Sequence, residues 1–377
     1  MTKIDIDTLY SLDSSYLYIH IPFCKNLCSY CDFCKYINSE KNMTSYITNL
    51  ILDLQKIKNK KLKTIFIGGG TPSYLDYYNL ERLLNYIKSN FKIEQEFTIE
   101  CNPDTLDEKK IELFSKSGVN RISLGVESTN PKTLEFLNRK HSNNDVVNCV
   151  NLLKKHGITN INMDFIYGVY FENKKDILQN IEFATKLNVN HISYYALQIE
   201  QGTKLYLEKQ NVVDDDTLAD EYEYILNELE KKEYYRYEVS NFAKKGYESK
   251  HNIAYWRNYN FYGVGISASG FTYPYRYKIT PKLLNYINRK NLIEENIIEN
   301  KESDEFNYLM LNLRLVKGFK VEEFNNLYKK EFFKEYPSFK KIEENFNYIN
   351  GYLSVKKEKL YILDDLLVEL LHFNIEN

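Results

Sequence analysis

The sequence predicts a parallel α/β fold built from six strand–helix units. Two observations carry this. Short runs rich in Ile, Val, Phe and Tyr alternate with longer charged segments of helical periodicity, and glycine and polar residues gather just after the runs. Strand-then-helix alternation implies parallel strands joined by right-handed crossovers. Such a sheet is either an open barrel or doubly wound. The chain's 377 residues, 43% hydrophobic and 27% charged, allow a core of ordinary size without staples.

In chain order the runs are Tyr16–Ile21, Thr64–Gly68, Glu96–Cys101, Arg121–Val126, Ile161–Tyr167 and His191–Leu197. Tyr77–Ser89 reads as an amphipathic helix with Leu80, Leu83, Leu84 and Ile87 on one face. Leu106–Ser115, closed by Gly118, follows the third run; Asp145–His156, closed by Gly157, and Asp176–Leu187 repeat the plan. Parallel α/β folds bind ligands at the carboxyl ends of their strands. Gly68–Thr71, Asn102–Pro103, Glu127–Ser128 and Gly168 fall there, so the functional residues are expected there.

After Gln201–Gly202 the pattern changes. Asp214–Asp216 read as the start of a helix that runs to about Lys232. An aromatic stretch, Tyr234–Tyr277, carries His251, Trp256 and the glycine-punctuated run Gly263–Gly270. From about Glu302 the chain is helix-rich. Asn350–Gly351, between a helix and the pair Leu353–Val355 and Leu360–Leu363, suggests a helix plus hairpin, a small winged-helix-like tail. The expected division is 1–232, 233–300 and 301–377.

Charge and hydropathy exclude some classes. With 50 Lys+Arg against 52 Asp+Glu, bulk charge does not direct the chain to nucleic acid. No run of about 20 apolar residues is present, so no transmembrane segment is expected. The opening MTKIDIDTLYSLDSS lacks a basic segment followed by an apolar one, so the expected location is cytoplasmic.

Four of the 6 cysteines, Cys24, Cys28, Cys31 and Cys34, fall within eleven residues. In a reducing compartment, clustered thiols more often hold metal or do redox work than form disulfides. Cys24-x3-Cys28-x2-Cys31 lies directly after the first run, where three thiolates can converge on one centre. A [4Fe–4S] cluster is normally held by four cysteines, so three leave one iron open to a small molecule. Structural zinc, with Cys34 or His20 as fourth ligand, is the competing reading, although the paired C-x2-C units of a knuckle are absent. Cys101 and Cys149 read as buried small apolar residues.

YIHIPFCKNLCSYCDF resembles the signature of radical S-adenosylmethionine (SAM) proteins and, more narrowly, of the oxygen-independent coproporphyrinogen III oxidase group. The resemblance continues through IFIGGGTPSYL, IECNPDTL, GVNRISLGVES, INMDFIYG, HISYYALQIEQGT, YEVSNFAKKGYESKHNIAYWRN and LMLNLRLVKGF. It implies a partial (β/α)6 barrel, a [4Fe–4S] cluster on Cys24, Cys28 and Cys31, and SAM bound to the fourth iron through its amino and carboxylate groups. By matching motifs, Tyr18, Gly69 and Glu100 would contact this SAM. Tyr30, Gly70, Thr71, Glu127, Arg139 and Asp164 would line the place where the oxidase holds a second SAM. The plainer readings are a tight turn for Gly68–Thr71 and structural ion pairs at strand ends for Glu100, Arg139 and Asp164.

Two branches of this group differ in function: the oxidase decarboxylates propionates, and a heme chaperone branch carries heme. Three features resemble the chaperone branch. Phe33 stands where the oxidase pattern has a fourth cysteine, the segment before the first strand is short, and His251-Asn252-Ile253-Ala254-Tyr255-Trp256 reproduces an HNxxYW motif. A histidine can ligate heme iron axially, Tyr255 and Trp256 offer flat apolar faces, and Arg257 offers a guanidinium to a propionate. The plainer reading is that His251 and Trp256 anchor the sheet edge.

The expectation is a radical-SAM-type heme chaperone that binds the cluster, SAM and heme, and delivers heme to acceptor proteins, at a membrane or not. The oxidase is the alternative, which leaves catalysis open, and a zinc-stabilised α/β binding module is a distant third. The chain departs from the group at Glu127, where glutamine is usual, at Gly263–Ser269, which lacks a histidine, and at Val169-Tyr170, where Leu-Pro is usual.

Overall fold

A computed structural model describes residues 4–371. All six expected strands form: β1 (Tyr16–Ile21), β2 (Lys61–Gly69), β3 (Lys92–Cys101), β4 (Arg121–Glu127), β5 (Asn160–Tyr167) and β6 (His191–Ala196). They lie side by side in chain order and all run parallel. Strands β2 and β3 begin earlier than their apolar runs because their first residues are largely exposed and polar, which hides them from an apolar count. Two short strands, β7 (Tyr235–Arg236) and β8 (Asn241–Ala243), continue the sheet antiparallel beyond β6, and β9 (Tyr262–Val264) pairs parallel with β1. The resulting 9-stranded sheet has the order β7-β8-β6-β5-β4-β3-β2-β1-β9. Its edges, β7 and β9, do not pair with each other among the described residues, so the barrel is partial.

Helices cover the outer face. Tyr77–Asn90 buries Leu80, Leu83, Leu84 and Ile87, as its periodicity predicts, and starts at the Asp76 cap. Asn143–Lys155 and Lys174–Lys186 each open on a capping box, from Ser142 and Asn173. The sequence reading passed over Met43–Lys56, although Met43, Tyr46, Ile47, Leu50 and Leu54 repeat at helical spacing and all face the core.

The aromatic segment shares the barrel's core, to which Phe242, Tyr262, Val264, Tyr277 and Tyr286 all belong. Its strands β10 (Ser269–Thr272), β11 (Tyr275–Ile279) and β12 (Ile293–Ile298) form an antiparallel sheet. A second core, from Leu309 to Leu370, holds the helix-rich tail around a small sheet of β13 (Phe319–Lys320), β14 (Phe346–Ile349) and β15 (Tyr352–Val355). The expected hairpin is shifted here. Asn350 and Gly351 both take positive φ, 52° and 79°, and close β14 onto β15 as a two-residue turn. The run before the turn is therefore a strand, and Lys357–Ile362 is a 3-10 helix. No described helix is long and apolar enough to cross a membrane.

Candidate functional site

The cysteine loop leaves the carboxyl end of β1 and is pinned on several sides. Cys24 N–H donates to Tyr36 O at 3.1 Å, Tyr36 N–H to Pro22 O at 2.7 Å, and Ser29 N–H to Leu137 O at 3.0 Å. Gly70 N–H, after β2, donates to Ile21 O at 2.8 Å. A Cβ at Gly70 would stand 2.8 Å from Cys24 Sγ, and Gly69 has a φ of +119° with the His20 ring 2.7 Å from its Cβ position. Only glycine fits this approach of β2 to the thiol loop. Cys24, Cys28 and Cys31 are free thiols. They border one cavity of about 600 Å³ at the strand ends, together with Tyr18, Tyr30, Gly69, Gly70, Thr71, Glu100, Glu127, Arg139 and Asp164.

Buried charge shapes this cavity. Burial, then the Asp164 carboxylate, pushes Glu100 up to about 8, against the Gly69 N–H that it accepts at 3.0 Å. Burial raises Asp164 as well, although Ser123 Oγ at 3.0 Å and Asn162 Nδ2 at 2.8 Å donate to it. Glu127 sits at a register shift in β4 with φ 64°, 3.6 Å from the Arg139 guanidinium. Burial outweighs that cation and holds Glu127 at about 7. A carboxyl partly protonated at neutral pH offers one donor and one acceptor, as the usual glutamine does. Arg139 is fixed by Asn102 Oδ1 at 2.9 Å and by Gly125 O, and it reaches Cys28 Sγ at 3.5 Å. Burial pushes Cys24 up to about 11 and raises Cys31, so metal would displace protons from these thiols.

Cys34 is directed elsewhere: its thiol donates to Pro281 O at 3.6 Å. His20 is held by Tyr18 Oη at 3.0 Å and Cys34 O at 3.1 Å. Neither lines the cavity with the three thiols, so neither of these two candidates is presented there as a fourth zinc ligand.

The floor is built on the helix Lys250–Trp256. Ser249 caps it, and buried Glu96 from β3 accepts Lys250 N–H at 2.9 Å and His251 N–H at 3.2 Å. His251 is fully buried, stacked on Phe66 at 5.3 Å. Its Nδ1 bonds Thr64 Oγ1 at 2.6 Å and its Nε2 bonds Tyr255 Oη at 2.8 Å. Burial drives its pKa down to about 3. Axial ligation would require one of these bonds to break. His251 and Trp256 do not border the cavity, whereas Asn252 and Tyr255 do. Arg257 points away, into the tail, where it donates to Asn312 Oδ1 at 2.7 Å and Gly318 O at 2.6 Å.

Sequence reasoning missed Arg121, Ser123, Asn162, Ser193 and Tyr195, which also border the cavity. A signal was present. Arg121, Ser123 and Gly125, Asn162 and Asp164, and Ser193 and Tyr195 sit two apart on otherwise apolar strands, so each set shares one face. A separate groove of about 660 Å³, between the helix Asp215–Lys231 and Lys357–Tyr361, holds none of the candidate residues.

A thiol loop over a cavity at the open end of a six-unit parallel sheet is the arrangement of the radical SAM class, and residues 18–184 match the radical SAM superfamily. The heme chaperone HemW of Lactococcus lactis subsp. lactis is 39% identical over 329 residues, 85% of this chain and 86% of that one. The heme chaperone HemW of Buchnera aphidicola subsp. Schizaphis graminum is 34% identical over 377 residues, 94% and 98% of the two chains. The chain therefore belongs to the radical SAM superfamily and, within it, to the HemW family. In fold it is similar to the radical SAM enzyme coproporphyrinogen III oxidase (HemN) of Escherichia coli, with a TM-score of 0.83 at 17% identity over 98% of this chain and 92% of that one.

Proposed function

We propose that this protein is a cytoplasmic radical-SAM-type heme chaperone, which holds a [4Fe–4S] cluster on Cys24, Cys28 and Cys31, binds SAM in the cavity above β1–β5, and carries heme to acceptor proteins. The observation that carries the reading is the meeting of three free thiols with the nine candidate SAM residues on one cavity. The donor set fits such a cluster. Among the described residues no three Cys, His, Asp or Glu side chains gather about one point, as a single ion requires. A cluster takes one thiolate on each of three irons and does not need that convergence. The chemistry it supplies when bound is one-electron reduction of SAM.

The chain's own residues set the frame. Gly69 and Gly70 would bring backbone against SAM, and Tyr18 and Glu100 would help to hold it. Arg139 and Glu127, with Tyr30, Thr71 and Asp164, line the same cavity and would hold a second ligand there. Phe33, 64% exposed beside the loop, stands in place of a further thiol, which favours carriage over decarboxylation. Heme binding is assigned to the HNxxYW helix. His251 holds Tyr255 at the cavity wall, and Trp256 lies half-buried at the helix end.

Anaerobic reconstitution followed by iron counting and heme titration tests this. About four irons per chain and a Soret band are expected. An intact cluster with no Soret band would overturn the heme reading, and SAM-dependent loss of propionate from coproporphyrinogen III would replace it with the oxidase reading.

A further inference from the structure

Arg121, the first residue of β4, is 2% exposed and the bulkiest of the fully buried side chains. Buried Arg139 pairs with Glu127, and half-buried Arg289 and Arg276 pair with Asp53 and Glu299. The guanidinium of Arg121 forms no ion pair or hydrogen bond among the described residues, and its Nε is sealed from solvent without an acceptor. Glu100 and Asp164 are near enough for its charge to favour their ionised forms, yet neither pairs with it. Arg121 borders the cavity, which Asn162, Ser193, Tyr195 and Tyr255 also line.

A buried cation without a partner is costly, and cells of polar structure that hold one are usually completed by an anion. While the cavity is empty, water can solvate the terminal nitrogens. A ligand that fills the cavity expels this water and must supply the anion itself. A carboxylate matches the guanidinium fork in two parallel hydrogen bonds. Phe66, Tyr195 and Tyr255 border the same cavity, and their aromatic faces suit an apolar body behind that carboxylate.

We propose that Arg121 is the receptor for a ligand carboxylate in the floor of the cavity, below the SAM held at the cluster. The inference rests on the function proposed above only for the ligand's identity. The first SAM's carboxylate is committed to the open iron in that reading. Two sources remain: a heme propionate, or the methionyl carboxylate of a second SAM.

The test compares wild type, Arg121→Met and Arg121→Lys, each reconstituted anaerobically, in equilibrium titrations with heme, heme dimethyl ester and SAM. Arg121→Met should bind one carboxylate ligand at least tenfold more weakly, with iron content unchanged and Arg121→Lys in between. If heme weakens while its dimethyl ester does not, the propionate is the source. If instead the stoichiometry or affinity of SAM falls, a second SAM is. Unchanged binding of both overturns the proposal. So does a lower melting temperature of cluster-free Arg121→Met, because removing an unpaired buried cation should leave it equal or raise it. A wild type that binds no heme would sink the chaperone reading alone, since the SAM titrations would still decide the role of Arg121.

Discussion

The mouth and the floor of the cavity are built on opposite principles. At the mouth, Cys24, Cys28 and Cys31 lie on a loop held by backbone hydrogen bonds, while their sulfurs form no disulfide and accept only long contacts, from Thr71 Oγ1 at 3.7 Å and from Arg139 at 3.5 Å. At the floor, Arg121 excepted, the polar groups are paired: Glu96, Thr64, Tyr255 and His251 satisfy one another. Groups that face a cavity unsatisfied await a ligand, whereas groups that satisfy one another hold the frame. The contrast is tested most strongly by removing thiols. Cys24→Ala, Cys28→Ala or Cys31→Ala should each abolish the cluster, read as loss of iron and of its visible absorbance. Cys34→Ala, whose thiol is turned to Pro281, should keep it. A cluster lost from Cys34→Ala would erase the distinction between the three thiols and their neighbour.

The floor should answer in stability instead. Glu96→Ala orphans the amides of Lys250 and His251 at the start of the helix and removes the acceptor used by Ser249 Oγ. Two buried donors left unpaired cost about 3 kcal/mol together. Chemical denaturation should show that loss in the cluster-free protein, while Glu96→Gln, which keeps an acceptor, loses less. Equal stability of Glu96→Ala and wild type would mean that the floor helix is held by its apolar contacts.

The same contrast explains what the sequence revealed. The mouth was legible because its chemistry is local: three cysteines within one loop, and glycines at the end of one strand. The six strands were legible because each carries a short apolar run, which in β1, β4 and β5 is buried on both faces almost throughout. The floor was not legible, because it is assembled from residues distant in sequence: Glu96 and His251 are 155 apart. An axial role for His251 is a natural reading of the residue alone. Only the structure shows both its ring nitrogens occupied. Arg121 escaped notice because an arginine opening a strand usually faces solvent.

The smallest effects are in pH, and the two regions pull in opposite directions. Glu100 is raised from 4.5 to about 8, so the native state binds more protons than the unfolded chain between those values. Its contribution to stability is full below 4.5 and is lost as pH rises through about 8. His251 is lowered from 6.5 to about 3, so the unfolded chain binds more protons in that window. Its contribution is full above 6.5 and is lost as pH falls toward 3. Glu100→Gln stays neutral at every pH and still accepts from Gly69. In the cluster-free protein it should melt about 3 °C above wild type at pH 9 and level with it at pH 4. His251→Gln should lower stability everywhere, through its lost hydrogen bonds, yet flatten the acid limb between pH 6 and 4. If both variants changed the same limb, the carboxylates near the mouth and the histidine of the floor would belong to one coupled network rather than two regions.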